Sequence, residues 1–436
     1  VRQAEEGGII MIVNRRIFSA MVASAVAAPR MSFAQIKDRS ALYSGVGGQL
    51  TYFEVDFDAA GLAKRASVKL PGGIQYAWPH PSRKYLYVAT STGGVGIAPV
   101  PGYSPNEHHL TAFRVASSGE LSPHGDPIKL KQRPIHTSVD HAGEHVLVAY
   151  NFPSGISVYK IKGDGGIGDE VKQADNLEKG IYFHQVRATP SDKSILIVAR
   201  GNDPEGTKPE DPGSLHVYAF KNGVLSSIRK IAPNGGYGYG PRHLDIHPAQ
   251  PWVYLSVERQ SQLIVYKMTP DGDLAPEPLF TKSTLADPAH RFPIQAAGPI
   301  HIHPNGRFVY LGNRSGLAGA VVPGVESVGG KMVFTGGESN IGVFAINQQT
   351  GEPAAIQHAD IRAAHPRTFG LDTGARLLVA GSLAPSARRE NGKVVDLPAG
   401  LSVFRMREDG KLDFVRKYDI DVGPFTQWWT GMIPLA

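Results

Sequence analysis

The chain has 436 residues, a formal net charge of +6 and no cysteine. Without cysteine there are no disulfides, thiol nucleophiles or cysteine metal sites, and although the positive balance suits an anionic ligand, no block of consecutive Lys and Arg marks a nucleic-acid binder. Glycine (50) and proline (33) are plentiful and apolar residues come in short runs bounded by turn residues, which reads as strands rather than helices.

In chain order, the first recognisable element begins at Met11. Arg15-Arg16 precede a short apolar stretch from Ile17 to Ala28, and Ser32-Phe33-Ala34 supply small residues before Gln35. The apolar core is too short for a membrane span and Pro29-Arg30 interrupt it, so the pattern predicts a secretory signal peptide. The arginine pair followed by Ile17-Phe18 resembles the twin-arginine type, which exports folded proteins. Residues 1–34 are therefore expected to be an extension plus signal peptide, and the mature protein to be periplasmic, starting near Gln35 and free of the membrane.

From residue 75 onward a unit recurs: small polar residues, an apolar strand, a turn, and a second apolar strand. It reads QYAWPHPSRKYLYVATS at 75–91, IHTSVDHAGEHVLVAYN at 135–151 and HQVRATPSDKSILIVAR at 184–200. It returns as RHLDIHPAQPWVYLSVE at 242–258, GPIHIHPNGRFVYLGNR at 298–314 and RTFGLDTGARLLVAGSL at 367–383. Its turn positions are Pro81, His141, Pro190, Pro248, Pro304 and Thr373.

A second unit, an alternating strand ending on an aromatic residue, supplies Phe53, Phe113, Tyr159, Tyr218, Tyr266, Phe344 and Phe404. That is one more than the first unit. The mismatch resolves if the missing copy is split between the termini, with Gln427–Thr430 and Ala41–Ser44 as its two strands. The fold class this predicts is all-β: a seven-bladed β-propeller of four-stranded antiparallel blades over 35–436, closed by N- and C-terminal strands sharing one blade. A β-solenoid would need shorter and more uniform periods.

The repeat also serves as a ruler. Residues six before and ten after each turn position are expected to be cross-strand neighbours, where the innermost strand (A) begins and the next (B) ends. The pairs are Gln75 with Ser91, Ile135 with Asn151, His184 with Arg200, Arg242 with Glu258, Gly298 with Arg314, and Arg367 with Leu383. Charges crowded near an axis cost several kcal/mol each unless a ligand or water compensates, roughly 2–7 kcal/mol even for a neutral polar group. The excess of arginine therefore predicts an anion pocket. A structural Arg242–Glu258 ion pair would leave Arg200, Arg314 and Arg367 unexplained. Insertions at 93–108, 201–213, 315–339 and 383–399 each follow a strand B, so they are expected on the same face, as a lid or as tolerated surface loops.

Here the sequence resembles a known family. The segment GYGPRHLDIHPAQPWVYLSVERQSQLIVYKMTPDGDL, ending at Leu274, is similar to the fifth-blade region of the seven-bladed propeller lactonases. That family includes the cofactor-independent 6-phosphogluconolactonases and the carboxy-cis,cis-muconate lactonizing enzymes. The likeness extends through HIHPNGRFVYLGNR (301–314) and HPRTFGLDTGARLLVAG (365–381), and the run 240–243 with the later Glu258 is its most specific part. The resemblance implies a catalytic group at His184, Arg242, Glu258 and Arg314, all already selected by the ruler. The insertions at 315–339 and 383–399 exceed the usual family lengths, and export is unusual for an enzyme acting on a cytoplasmic sugar phosphate.

The function expected is a lactonase opening a sugar or acidic lactone without a cofactor, as a monomer. Glu258 activates water if a dry site raises its pKa, Arg242 orients it or holds a substrate carboxylate, and Arg314 stabilises the oxyanion. His184 is the proton donor or the alternate base; the sequence leaves it exchangeable with Glu258. Arg200, His243, Asn313 and Arg367 are expected to bind substrate. A lactonizing cycloisomerase of the carboxymuconate type and a non-catalytic periplasmic binding propeller stand as alternatives. His301 with His303 and His108 with His109 do not assemble the converging ligands a metal needs, and no phosphate loop or serine nucleophile elbow is present.

Overall fold

The computed structural model describes residues 39–93, 100–316 and 323–436. The leader expected over residues 1–34 lies outside the described residues. The repeats close into a ring of seven antiparallel blades, each ordered A to D outward from the axis. Blade 1 joins the termini: strand A is Gln427–Pro434, strand B Ser40–Val46, strand C Gln49–Asp56 and strand D Gly61–Lys69. Tyr43 opposite Gly431 and Ser44 opposite Thr430 set the register of the closure. The A strands of the other blades are Gly73–Pro79, Pro134–Val139, Phe183–Ala188, Pro241–Ile246, Ala296–Ile302 and Pro366–Leu371, for blades 2 to 7. Blade 2 carries one extra short strand, Ile128–Lys129, against its strand C.

The aromatic of every C strand, from Phe53 to Phe404, is buried. The apolar clusters lie between neighbouring blades rather than within one: Tyr43, Ile74, Leu86 and Trp429 share a cluster across blades 1 and 2. A polar staple accompanies this packing. The B-strand hydroxyls of Tyr43, Tyr87, Tyr254 and Tyr310 donate to the carbonyls of Gly119, Gly165, Gly351 and Gly410 at 2.5–2.8 Å, each in the C–D turn of the next blade. Those turns need φ near +80 to +96°, which glycine adopts without strain.

The insertions of blades 6 and 7 are more ordered than loops. Val325–Val328 with Lys331–Phe334, and Ser386–Glu390 with Lys393–Leu397, form two hairpins. These join edge to edge through Val333 and Phe334 alongside Ala387 and Arg388, making an eighth four-stranded sheet. Long insertions thus satisfy their own backbone groups and cap each other's edges.

Candidate active site

The ruler's register needs one correction. The ruler places His184 opposite Arg200, but the register Val186 with Ile197 and Gln185 with Val198 already runs one residue short of that, and Phe183 then pairs with Ala199, leaving His184 as an extra, unpaired residue. The same β-bulge sets Gln75, Ile135, Arg242, Arg367 and, in the split blade, Trp428 outside the ladder. Blade 6 bulges at Gly298-Pro299. A bulge bends the strand and re-aims its side chain, and four of the bulged residues, Ile135, His184, Arg367 and Trp428, line the chamber at the axis. Hairpin register and bulge each account for one residue, so the B-strand ends face residues two earlier than expected: Arg200 N donates to Tyr182 O, Glu258 N to Gly240 O and Leu383 N to His365 O, at 2.7–3.1 Å.

Around the axis on this face lies a chamber of about 280 Å³. The expected residues His184, Arg200, Glu258, Arg314 and Arg367 line it. So do Arg133, Tyr182, His365 and Trp428, which the offset of six did not select; an offset of eight would have found the first three, and extending the ruler to the split blade the fourth. Arg242, His243 and Asn313 do not line the chamber. Arg242, 1% exposed, sits behind Glu258. His243 lies beneath His184, ring to ring at 5.0 Å and 62°. Asn313 is turned into its own blade, where its side-chain amide donates to Thr284 O at 2.6 Å and Asn340 Oδ1 at 2.9 Å. No single ligand in the chamber reaches all of His184, Arg242, Glu258 and Arg314, since Arg242 is covered.

Glu258 is the hub of one side. Arg314 Nη2 donates to its Oε1, Arg242 Nε lies 3.4 Å from the same oxygen, and Arg200 Nη1 donates to Oε2 at 3.4 Å. Burial pushes this carboxyl up, as expected for a dry site, but Arg314 and Arg200 outweigh it and hold Glu258 below the usual carboxylate range. The expectation of a raised pKa is thus overturned by the arginines. Arg314 reaches across because blade 6 has Gly298 in its bulge: a Cβ there would sit 2.7 Å from Arg314 Nε. Its Nη2 is also anchored on Ala297 O at 2.7 Å. Arg200 stacks on Tyr182, 4.6 Å from the ring centre. Arg259, beside Glu258, donates to Arg200 O and Asn202 O and pairs with Glu210, so it fastens the 201–213 insertion against this wall.

His184 is buried, and its Nδ1 meets no protein partner. Burial first, and then neighbouring His243 and the cations Arg367, Arg200 and Arg314, hold its imidazole well below the ordinary range. His365 is pushed down to about 3 by burial and Arg314. Both rings are therefore neutral acceptors at neutral pH, which removes His184 as a ready proton donor in the resting site. Among the described residues no group of three or more His, Asp and Glu is placed to hold a metal ion.

A model of the family described as "Lactonase, 7-bladed beta-propeller" matches residues 40–386. The 6-phosphogluconolactonase of Bacillus subtilis (strain 168) is 27% identical over 380 residues, covering 83% of this chain and 94% of that protein. That of Pectobacterium carotovorum is 27% identical over 308 residues, covering 67% and 83%. Among solved structures, a Pseudomonas aeruginosa periplasmic gluconolactonase superposes with a TM-score of 0.64 at 17% identity, over 91% of this chain and 99% of that one. A Lactobacillus plantarum protein gives 0.65 at 18%, over 92% and 100%. At such identities the structural likeness speaks for the fold.

Proposed function

Since the chain belongs to the seven-bladed β-propeller lactonase family, we propose that it opens sugar lactones by attack of water in the axial chamber, with Glu258 and its arginines as the electrostatic frame. The observation that carries this is the three-guanidinium grip on one carboxylate beside a neutral, buried histidine.

Glu258 shares its oxygens among three cations and is held anionic, which makes it a poor proton acceptor. His184, neutral and with its Nδ1 free of any protein partner, is assigned as the base. Water attacks the lactone carbonyl carbon as His184 takes its proton; the carbonyl oxygen becomes an oxyanion facing Arg314, with Arg200 nearby. A charge-assisted donor held in place before the reaction is worth about 10²–10³-fold in rate. The ring C–O bond then breaks, and the imidazolium returns its proton to the departing alkoxide, which yields the hydroxy acid. The same negative charge raises the proton affinity of His184 at the moment it must accept. Arg242 is a positioning residue acting through Glu258, and Arg367 contacts substrate from across the chamber.

Lactone opening releases acid, so a pH-stat assay of the purified protein on glucono-δ-lactone and its 6-phosphate tests the reading directly. Acid release with neither lactone, alongside loss of muconate absorbance, would transfer the protein to the lactonizing alternative. Ligand binding without any turnover would favour the binding propeller. The leader read at Met11–Ala34 supports export to the periplasm by the twin-arginine route. N-terminal sequencing of exported protein checks this, a start near Gln35 being the expected result.

A further inference from the structure

We propose that Arg133 and Arg367, with Trp428 between them, form a second anion site across the ring from Glu258 that holds a carboxylate or phosphate carried by the substrate away from its lactone carbonyl. This rests on the lactone reading above and narrows its substrate class to acidic lactones.

The cations in and behind the chamber wall fall into two arcs. Arg200, Arg242 and Arg314, from blades 4, 5 and 6, converge on Glu258. Arg367 comes from blade 7, Trp428 from blade 1 and Arg133 from the approach to blade 3, so they occupy the rest of the ring. Here no carboxylate lies within ion-pair distance among the described residues. Arg133 Nη2 donates instead to the neutral amide oxygen of Gln75 at 2.7 Å, and that amide is turned by its own bond to Gly73 O at 3.2 Å. Its Nε and Nη1 meet no protein acceptor. Arg367 lies flat on Trp428, 4.1 Å from the ring centre, and its buried Nε also lacks an acceptor, as does Trp428 Nε1.

Each guanidinium is thus held in place by a partner that does not cancel its charge. Both side chains are nearly buried, at 5% and 8% exposure. Burial accordingly pulls both below the ordinary arginine range, Arg367 to about 10. Two buried cations lining one chamber with neutral holders are costly in the empty site. An oxyanion with two or more oxygens removes that cost and accepts from both forks. Space is available as well: Arg133 and Trp428 also wall an adjoining cavity of about 280 Å³, bounded by Gln75, Ser91 and Phe425, which suits the far end of a chain-bearing lactone.

The test titrates inorganic phosphate and acetate calorimetrically into the whole protein, wild type and the Arg133→Met and Arg367→Met variants, with the melting temperature of each recorded. Wild type binds at least one of the two anions, and each variant weakens that binding by roughly ten- to hundredfold, the worth of a charge-assisted hydrogen bond. Neither variant melts below wild type without ligand, since an uncompensated buried charge has been removed. Parallel kinetics on glucono-δ-lactone and its 6-phosphate should show KM rising more for the phosphorylated lactone, if the anion is phosphate. A glucaric acid lactone replaces it as the more affected substrate if the anion is carboxylate. Anion binding indifferent to both substitutions overturns the site while leaving lactone hydrolysis standing. Anion binding that needs both arginines, in a protein turning over no lactone, keeps the site and removes the hydrolytic reading.

Discussion

Replacing Glu258 by glutamine keeps size and shape while withdrawing the one negative charge that Arg314, Arg242 and Arg200 share. Glu258 is 13% exposed at its side chain and Arg242 1%, so little solvent steps in to compensate. Breaking a buried ion pair from one side costs about 3–5 kcal/mol. Unfolding entropy of ~2.1 cal/mol/K per residue gives roughly 0.8 kcal/mol/K for a propeller of about 400 residues, so Tm should fall by about 4–6 °C. Turnover should fall as well, by about 10²–10³-fold, because Arg314 is no longer held toward the oxyanion. Differential scanning calorimetry and a pH-stat assay on the same preparation read both numbers. A further Arg242→Met change should recover part of the lost stability, because it removes the cation left uncompensated. An unchanged or raised Tm for Glu258→Gln would refute the charge accounting, and a lowered Tm with undiminished turnover would reduce Glu258 to scaffold.

His184 sits below the usual histidine range and works as its neutral form. Activity should therefore hold level as pH falls through 6.5 and fail only at clearly more acidic pH, and an inflection at or above 6.5 in kcat/KM would remove His184 as the base. The sign for stability follows from the same shift: the unfolded chain takes up protons below pH 6.5 that folded His184, His243 and His136 refuse, so stability should drop as pH falls below that value, which acid melts can follow. Gly298→Ala should push Arg314 aside and lower kcat roughly tenfold or more, and should also lower the Tm because its Cβ would lie 2.9 Å from Gly312 O; a fully active variant would mean that Arg314 need not lie where it does. Asn313→Leu leaves Asn340 Oδ1 without its donor, while Thr284 O keeps the His358 ring nitrogen at 3.0 Å, so it should cost about 1–3 kcal/mol of stability. Its KM should change less than twofold, and a large KM change would return Asn313 to the substrate.

Much of this was legible in the chain itself. The recurring strand–turn–strand unit, the seven C-strand aromatics and the split closure Ala41–Ser44 with Gln427–Thr430 determined the architecture, because a propeller repeats one local solution and local pattern is what sequence records. Glu258, Arg314, Arg200, His184 and Arg367 were found for the same reason: the repeat gives each blade a common origin. Arg133, Tyr182 and His365 were not, since the hairpin register and a bulged residue in each A strand together slip the pairing by two, and Trp428 was not because its blade is split between the termini. Asn313 and His243 look like site residues by position, yet packing turns the one into its own blade and buries the other beneath His184. The direction in which Glu258 is shifted was also beyond the sequence. Burial alone raises a carboxyl; two guanidiniums, Arg314 from blade 6 and Arg200 from blade 4, lower it. Residues far apart in the chain set that balance, and only the closed ring brings them within reach of one another.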